Sequence, residues 1–324
     1  MKEYGGYLRL ELNDNAHYWK HYDNNSVKLN SGRAAIYCAV EMGKFERVFI
    51  PAYTCDTVAQ FLISKNIGVV YYNITNTFDP IIHGFTKNDV LVWTNYYGIL
   101  SNKNKMILKK YKNVIFDNTQ AFFTKPLVNS YTVYSFRKFF GVSDGALLIY
   151  PKGNKCDLTL ARDKSSETSL FLLTTIENGT NNSYSDSLKN EERISKSDIL
   201  GMSQLTDAIL RNVNYNQVKK CRRDNFEYLD KRLCKINELS DFIKHRLPSD
   251  IPMIYPLLIK NENLRSILIS KHIYVPQWWK YLINSNLSND FEKYLSKYLI
   301  PVPIDQRYTF EDMEMISKII EKNI

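Results

Sequence analysis

Short apolar runs alternate with amphipathic stretches over the first half of the chain. Four runs are rich in β-branched and aromatic residues and too short for helices, and each predicts a buried β-strand: residues 47–51, 68–72, 90–94 and 114–117. The stretches between them predict helices, chiefly over residues 57–64 and 101–112. This alternation predicts βαβ units and a mostly parallel sheet covered by helices on both faces.

Two further apolar runs, residues 131–135 and 146–150, predict strands joined by a tight connection that carries Lys138. Upstream, residues 5–12 alternate weakly and predict an edge strand. Ser31 is a good N-cap for the apolar, helically spaced residues that follow it, so a helix is expected to begin there.

The pattern changes after residue 151. Residues 152–190 are polar and rich in Ser, Thr and Asn, which predicts a long, partly mobile excursion. Later segments predict helices and one strand, with the strand at 253–259 and the helices at 198–210, 216–236, 263–270 and 309–322. We therefore expect a large α/β domain over residues 1–213 and a smaller α+β domain over residues 214–324.

Composition narrows the class of protein. The 324 residues are 44% hydrophobic, which suffices for a sizeable core. No apolar run is long enough to cross a bilayer, and the first residues lack the apolar core of a signal peptide, so we expect a soluble, cytoplasmic protein. Five cysteines without a CxxC pair predict reduced thiols, with neither a disulfide framework nor a metal site.

The net charge of +9 raises the question of a nucleic-acid partner. The basic residues are spread along the chain, and the densest cluster, Lys219-Lys-Cys-Arg-Arg223, lies in a helical stretch with acidic residues after it. This arrangement favours a solvated helix face over a nucleic-acid surface.

Three polar positions lie where a strand ends or a helix begins. Ser31 and Gly32 would present helix amides to a phosphate, Asp117 ends a strand, and Lys138 lies in the turn after another strand. In parallel sheets, sites gather outside the carboxyl ends of the strands. Each position also has a plainer explanation, as a helix cap, a turn cap or a solvated lysine. Together they are the parts needed to hold pyridoxal 5′-phosphate.

Six short motifs support that combination and occur in order along almost the whole chain: Ser31-Gly-Arg-Ala-Ala, Ile50-Pro-Ala-Tyr-Thr, Asn95-Tyr-Tyr-Gly, Phe116-Asp-Asn-Thr-Gln-Ala, Gly201-Met-Ser-Gln-Leu and Tyr298-Leu-Ile-Pro-Val-Pro. In this order they resemble motifs of the DegT-type sugar aminotransferases, which are fold-type-I pyridoxal-phosphate enzymes. The first is similar to the family's phosphate-binding Ser-Gly-Thr-x-Ala, and the fourth to its Glu-Asp-Ala-Ala-Gln-Ala.

The resemblance implies a role for each residue near the reacting end of the cofactor. Lys138 would carry the cofactor covalently and then act as general base, for which its amine must be neutral. Asp117 would keep the pyridine nitrogen protonated. Gln120 would contact the cofactor near its ring oxygen. Apart from the resemblance, Tyr97 or its neighbour Tyr96 is a candidate for the aromatic face against the cofactor ring.

At the phosphate end, the resemblance implies that Ser135 and the amides of Gly32 and Arg33 hold the phosphate. The family has a hydroxyl residue where this chain has Arg33, and an asparagine from the partner subunit where it has Ile199. One hypothesis is that the Arg33 guanidinium replaces both contacts. The alternative is that Arg33 points into solvent from the first turn of its helix.

Two other departures concern the turn and the cofactor ring. The family has a five-residue step from its serine to its lysine, whereas Ser135 and Lys138 are three positions apart. The six-residue step from Lys138 to Asp144 matches the family, so we assign Lys138 rather than Lys125 and infer a two-residue deletion. The aromatic residue that usually stacks on the cofactor is replaced by Cys55.

The resemblance implies an aminotransferase that moves an amino group from an amino-acid donor, with glutamate expected, to a keto-sugar nucleotide. The setting would be polysaccharide or antibiotic-sugar biosynthesis, and the state a homodimer with cofactor sites at the subunit boundary. Two alternatives remain open. One is a degenerate, non-catalytic relative that binds a nucleotide sugar or a partner enzyme. The other is a different pyridoxal-phosphate reaction such as sugar dehydration, against which the retained Lys138 argues, since the dehydratases of the family that this chain resembles replace that lysine.

Overall fold

The computed structural model describes residues 4–8, 10–156 and 159–324, and these residues form one sheet of eight strands and one of two. The strands are β1 (Ser26–Leu29), β2 (Arg47–Pro51), β3 (Gly68–Ile74), β4 (Pro80–Ile81), β5 (Asp89–Thr94), β6 (Val114–Asp117), β7 (Tyr131–Ser135), β8 (Ala146–Ile149), β9 (Ile254–Leu258) and β10 (Leu299–Pro303). The predicted α/β class is confirmed.

Helices pack against both faces of the large sheet and around the small one. They are α1 (Gly32–Gly43), α2 (Asp56–Ser64), α3 (Asn104–Tyr111), α4 (Leu170–Lys196), α5 (Gln204–Leu210), α6 (Tyr215–Leu233), α7 (Ser240–Lys244), α8 (Leu264–Ser270), α9 (Asp290–Tyr298) and α10 (Phe310–Glu321). Short 3-10 turns occur at Lys20–Asn25, Tyr96–Gly98, Ser101–Lys103, Ser166–Thr168 and Lys280–Asn284.

Strand β5 shows why the strand segments are continuous apolar runs: both faces of the sheet are buried. Val90 and Val92 enter the core between the sheet and helices α1 and α2, whereas Leu91 and Trp93 enter the core on the opposite face. Alternate residues of a strand point to opposite faces, so a strand covered on both faces needs an uninterrupted apolar run.

The order of strands in the large sheet is β1-β8-β7-β6-β5-β2-β3-β4. The five strands from β7 to β3 in that order pair in parallel, and β8, β1 and β4 pair antiparallel. Because β6 and β7 are parallel neighbours, their last residues, Asp117 and Ser135, lie at the same edge. Strands β1 and β7 are both antiparallel to β8, so they run in the same sense, and α1 begins at that edge too.

The small sheet pairs β9 with β10 and shares a core with the large sheet. Trp93 and Phe116 of the large sheet belong to the same buried cluster as Tyr255 of β9 and Ile316 of α10. The division at residues 213 and 214 therefore stays a prediction, although α6, which follows it, packs on β9 of the small sheet.

The expectation of a mobile excursion over residues 152–190 is wrong for much of its length. Residues from Leu170 form α4, a 27-residue helix interrupted at Gly179, where φ is 77°. Its buried residues are only Ser183, Asn190 and Ile194. Its large apolar residues are mostly exposed and polar runs interrupt them, so hydrophobic periodicity gave no signal for it.

Two other predicted elements differ from the structure. The helix expected over residues 198–210 begins only at Gln204, because Ser203 caps it by accepting a hydrogen bond from the Thr206 amide at 3.1 Å. The edge strand expected over residues 5–12 does not form in the described residues of that segment, and Arg9 lies outside them. None of the helices described has the length and apolar character to cross a bilayer.

Candidate active site

A cavity of about 540 Å³ lies at the carboxyl edge of the large sheet, where the first turn of α1, the ends of β6 and β7, and the small sheet meet. Six of the residues expected to hold the cofactor line it: Gly32, Arg33, Asp117, Gln120, Ser135 and Lys138. Tyr97 does not. The six come from three short segments of the chain, residues 32–33, 117–120 and 135–138, and the sheet topology brings these segments together.

Lys138 lies in the turn between β7 and β8, as predicted, and its side chain is exposed to the cavity. Its Nζ donates a hydrogen bond to Thr119 Oγ1 at 3.1 Å. The far end of the turn is fixed by Asp144, which is fully buried and accepts hydrogen bonds from the amide and hydroxyl of Ser203 at 2.8 and 2.6 Å. Lys125, the other candidate, is not part of the cavity wall.

Asp117 ends β6 and is only 5% exposed. Its Oδ1 accepts a hydrogen bond from the Thr119 amide at 3.0 Å, and Thr94 Oγ1 approaches Oδ2 at 3.5 Å. These contacts fix the carboxylate while leaving it on the cavity wall. A buried carboxylate without a cationic partner in the described residues is suited to a ligand that brings a positive N–H.

Tyr97 does not line the cavity, but it orients the Gln120 side chain, which does. The Tyr97 amide donates to Gln120 Oε1 at 2.8 Å, while the Tyr97 ring is fully buried and stacks on Trp278 at a centroid distance of 6.1 Å. The next residue, Gly98, lies so close to the backbone of Gln120 that only glycine fits. Its φ is 76°, and a Cβ added to it would lie 2.7 Å from the Gln120 carbonyl oxygen. The structure thus places Tyr97 behind the wall, as a support for Gln120.

Gly32 and Ser135 approach each other closely at the cavity wall, since a Cβ added to Gly32 would lie 4.0 Å from Ser135 Cβ, and we call this part of the cavity its narrow end. Ser31 caps α1 by accepting a hydrogen bond from the Ala34 amide at 3.4 Å, so the helix begins with the amides of Gly32 and Arg33 at the cavity. A Cβ added to Gly32 would lie 3.2 Å from Thr119 Cγ2. The glycine therefore keeps space open beside a hydroxyl and a helix N-terminus, which is a donor set suited to a phosphate.

The Arg33 guanidinium contacts the end of α4. Its Nη1 donates to the Ser195 carbonyl at 2.6 Å, and its Nη2 to the carbonyls of Ile194 and Ser197 at 2.5 and 2.8 Å. The Phe61 ring lies beneath it at 4.7 Å. The side chain therefore takes neither of the two orientations considered from the sequence. It is half-buried and does not point into solvent, and its terminal nitrogens bind carbonyls at the end of α4 instead of facing a phosphate.

Arg137 is a cation of this cavity that the sequence reasoning passed over. Its Nη2 pairs with Glu191 of α4 at 2.9 Å, while its Nη1 is buried without a partner in the described residues. The signal for it was its place between Ser135 and Lys138 in the shortened turn. A buried guanidinium nitrogen without a partner at the narrow end adds to the case for an anionic ligand there.

The aromatic part of the wall comes from the small-sheet side. Cys55 lies in the cavity and offers no ring, whereas Trp278 and Trp279 both line it. The Trp279 ring meets the Tyr53 ring edge-on at 4.4 Å, and the Tyr281 hydroxyl donates to the Thr54 carbonyl at 2.8 Å. The segment with the two tryptophans is therefore held against the loop that ends at Cys55.

The cavity holds no metal-binding arrangement: within the described ranges, no group of three His, Cys, Asp or Glu side chains is placed to coordinate an ion. Its chemistry rests on one lysine, one buried carboxylate, a helix N-terminus and aromatic walls.

Comparisons with solved structures match this fold. A DegT DnrJ EryC1 StrS aminotransferase from Brucella abortus superposes with a TM-score of 0.65 at 11% identity, over 94% of this chain and 87% of that one. A sugar aminotransferase from Micromonospora echinospora gives 0.63 at 14% identity, over 93% and 88%. The Bacillus subtilis protein NtdA with bound cofactor PMP gives 0.62 at 13% identity, over 92% and 72%.

No protein-family model matches the sequence, and no curated protein matches it either. At the identities found, the structural likeness establishes the fold. The chain has the fold-type-I architecture of the DegT-type sugar aminotransferases, as the six motifs predicted.

Proposed function

We propose that this protein is a pyridoxal-phosphate-dependent aminotransferase that moves an amino group from an amino-acid donor, with glutamate expected, to a keto-sugar nucleotide. The observation that carries the proposal is the convergence of Lys138, Asp117, Gly32 and Ser135 on one cavity from three separate segments of the chain. They do so in a fold shared with sugar aminotransferases.

The narrow end of the cavity fits the phosphate of the cofactor. The amides of Gly32 and Arg33 and the Ser135 hydroxyl would donate to the phosphate oxygens, and the space that a Cβ at Gly32 would fill lets the anion approach the helix end. The unpaired Nη1 of Arg137 would add a charged donor. We assign the phosphate charge to Arg137 before Arg33, because the Arg33 terminal nitrogens already have three acceptors.

The other end fits the ring. Asp117 would accept from the protonated pyridine nitrogen, and Gln120, whose Oε1 is held by Tyr97, would donate through its amide nitrogen. When bound, the cofactor supplies an electron sink for a substrate carbon that loses its proton. Lys138, as the amine on the cavity wall, would hold the cofactor and then take up and return that proton.

Lys138 and Thr119 also bear on whether the shortened turn is compatible with catalysis. The 3.1 Å hydrogen bond to Thr119 holds the lysine amine at the cavity despite the deletion. This contact supports an enzyme over a degenerate binding protein.

The walls support a sugar as the second substrate. The volume of about 540 Å³ lies within the roughly 300–1,000 Å³ range of small-molecule sites. Trp278, Trp279 and Tyr274 add aromatic surfaces, which have a large apolar face and a polar edge suited to amphipathic ligands. We accordingly propose a role in polysaccharide or antibiotic-sugar biosynthesis.

A visible spectrum of the protein saturated with pyridoxal phosphate tests the proposal. An aminotransferase would show a visible absorption band that glutamate converts to a near-ultraviolet one, and a keto acid would restore it. A stable visible band that no amino acid changes would contradict transamination and favour the non-catalytic alternative.

A further inference from the structure

Helix α6 carries a buried arginine that faces the cavity. Arg222 is 2% exposed, and it shares one face of the helix with Val218, Phe226 and Leu229. The sequence placed it in a solvated basic cluster, yet only its neighbours behave that way, since Lys220 and Arg223 are exposed. Its spacing of four residues from both Val218 and Phe226 was the signal that it belongs to the buried face.

The Arg222 side chain is fixed by three contacts and keeps one donor free. Its Nε donates to Gln306 Oε1 at 3.2 Å, its Nη1 donates to the Met253 carbonyl at 2.8 Å, and its Cζ lies 4.5 Å from the centre of the Phe139 ring. Nη2 meets no acceptor among the residues that the structure describes. The side chain is part of the cavity wall, so this nitrogen is available to a ligand.

No carboxylate of the described chain neutralises this cation directly. Asp305 also lines the cavity, but Arg307 engages both of its oxygens, at 2.7 and 2.8 Å. Burial lowers the pKa of the Arg222 guanidinium to about 10, so the group is still charged at neutral pH. The Asp305 carboxylate raises the pKa of Arg222 from a distance without contacting it, so an anionic ligand would be the first direct partner of this buried charge.

The location of Arg222 relative to Lys138 indicates which anion. Phe139, which lies against the guanidinium, directly follows Lys138, and Gln306 links the two by donating to the Phe139 carbonyl at 2.9 Å. In an amino-acid donor, the α-carboxylate is attached to the same carbon that must approach Lys138. In a nucleotide sugar, the diphosphate is separated from the keto carbon by ring atoms and leads towards a bulky nucleoside.

We propose that Arg222 binds the α-carboxylate of the amino-acid donor. This inference rests on the proposed function and extends it, because it assigns the residue that recognises the donor's α-carboxylate and so disfavours amines without one. The guanidinium is oriented before the ligand arrives, so little conformational freedom is lost on binding.

The test compares glutamate with 4-aminobutyrate, which is glutamate without its α-carboxylate. The concentration dependence and the limiting rate of the cofactor's spectral change are measured for both donors, in the wild type, in Arg222→Gln and in the matched control Arg223→Gln. Arg223 is exposed on the same helix, so its substitution removes the same charge from the surface.

We expect the wild type and Arg223→Gln to prefer glutamate. Arg222→Gln should bind glutamate roughly 10- to 100-fold more weakly, as for the loss of a charged hydrogen bond, with little change for 4-aminobutyrate. If Arg222 had a purely structural role, its substitution would weaken the binding of both donors equally, and that result would overturn the proposal. Equal use of both donors by the wild type would overturn it without any variant, which covers the case in which Arg222→Gln does not fold.

Calorimetry with UDP-glucose tests whether Arg222 binds the other candidate anion, the diphosphate of a nucleotide sugar. If Arg222→Gln loses affinity for this diphosphate sugar and keeps the preference for glutamate, the guanidinium serves the acceptor and the proposal is wrong. If no amine changes the spectrum of the cofactor-loaded wild type, the proposed aminotransferase function is wrong, and the assignment of Arg222, which rests on it, is wrong too. If amines react but show no dependence on the α-carboxylate, only the assignment of Arg222 fails.

Discussion

Thr119 connects three functional groups of the cavity through three different parts of one residue. Its amide donates to Asp117, its hydroxyl accepts from Lys138, and its methyl group faces Gly32. The motif that the segment resembles has alanine here, and an alanine could not accept a hydrogen bond from the lysine. A displacement of Thr119 should therefore disturb the lysine and the carboxylate together.

Gly32→Ala should produce such a displacement. The new Cβ would lie 3.2 Å from Thr119 Cγ2, and crowding of this kind costs roughly 1–3 kcal/mol. We expect a lower melting temperature and weaker binding of pyridoxal phosphate, measured by thermal denaturation and by titration of the cofactor.

Thr119→Ser provides the matched control, because it removes the methyl group and keeps the hydroxyl. The double variant Gly32→Ala/Thr119→Ser should recover most of the loss, which makes the two substitutions strongly non-additive. Additive losses, or a Gly32→Ala protein that behaves as the wild type, would show that the contact is unimportant.

For single residues, the sequence predicted where a residue lies in the fold better than the direction of its side chain. Lys138, Asp117 and Gln120 could be assigned to the cavity because motif spacing and strand ends determine where a residue lies. The direction of the Arg33 side chain depends on α4, more than 100 positions away, and the burial of Tyr97 depends on Trp278. Local sequence contains neither of these contacts.

At the scale of elements, the end of α4 is held by the first turn of α1. The last carbonyls of a helix lack internal partners, and arginine side chains commonly satisfy them. Arg33 does this for Ile194 and Ser195, which both line the cavity beside the proposed phosphate site. The position of α4 is therefore coupled to the phosphate end of the cavity.

Arg33→Thr separates this role from the phosphate-binding role considered from the sequence. We expect faster amide hydrogen exchange over residues 190–197 in the cofactor-free protein, because three hydrogen bonds to α4 and the following residue are lost. The control Lys105→Thr removes an exposed cation from α3 instead and should leave the exchange of residues 190–197 unchanged.

The phosphate hypothesis predicts a different result. Unchanged exchange in Arg33→Thr, together with cofactor binding weakened by roughly 1.5–3 kcal/mol and partly restored by Ile199→Asn, would place the guanidinium on the phosphate and contradict the α4 role.

Elements with a buried apolar surface could be predicted, and those without one could not. Strands β2, β6 and β7 were predicted with the bounds that the structure gives, because each is an apolar run between polar turns. Helix α4 was missed because its residues are mostly exposed. It contacts the rest of the chain partly through polar pairs, such as Arg193 with Asp163 and Arg137 with Glu191, and hydrophobic periodicity does not register such pairs.

At the scale of the whole molecule, α4 displays an apolar surface that the chain does not cover. The exposed large side chains on it are Leu170, Leu173, Ile176, Tyr184 and Leu188. Exposed apolar patches of this kind often mark an interface, and two-fold homodimers are the commonest oligomers. This surface lies on the helix that borders the cavity, which supports a dimer with its sites near the subunit boundary.

Light scattering at micromolar concentration should therefore report a homodimer. Ile176→Lys should weaken it, because Ile176 is 83% exposed on α4 and a charge would have to be buried in the interface. Val128→Lys, at a residue 82% exposed in a loop outside α4, is the control and should remain dimeric. A wild-type monomer that is fully loaded with cofactor would rule out this assembly.

The central claim is that Lys138 carries the cofactor in a turn two residues shorter than that of the family it resembles. Borohydride reduction of the protein saturated with pyridoxal phosphate, followed by peptide mapping, tests it directly. We predict that the label is found on the peptide containing Lys138 and disappears in Lys138→Arg, while Lys125→Arg is labelled as the wild type. Label on Lys125, or no label on saturated protein, would contradict the account.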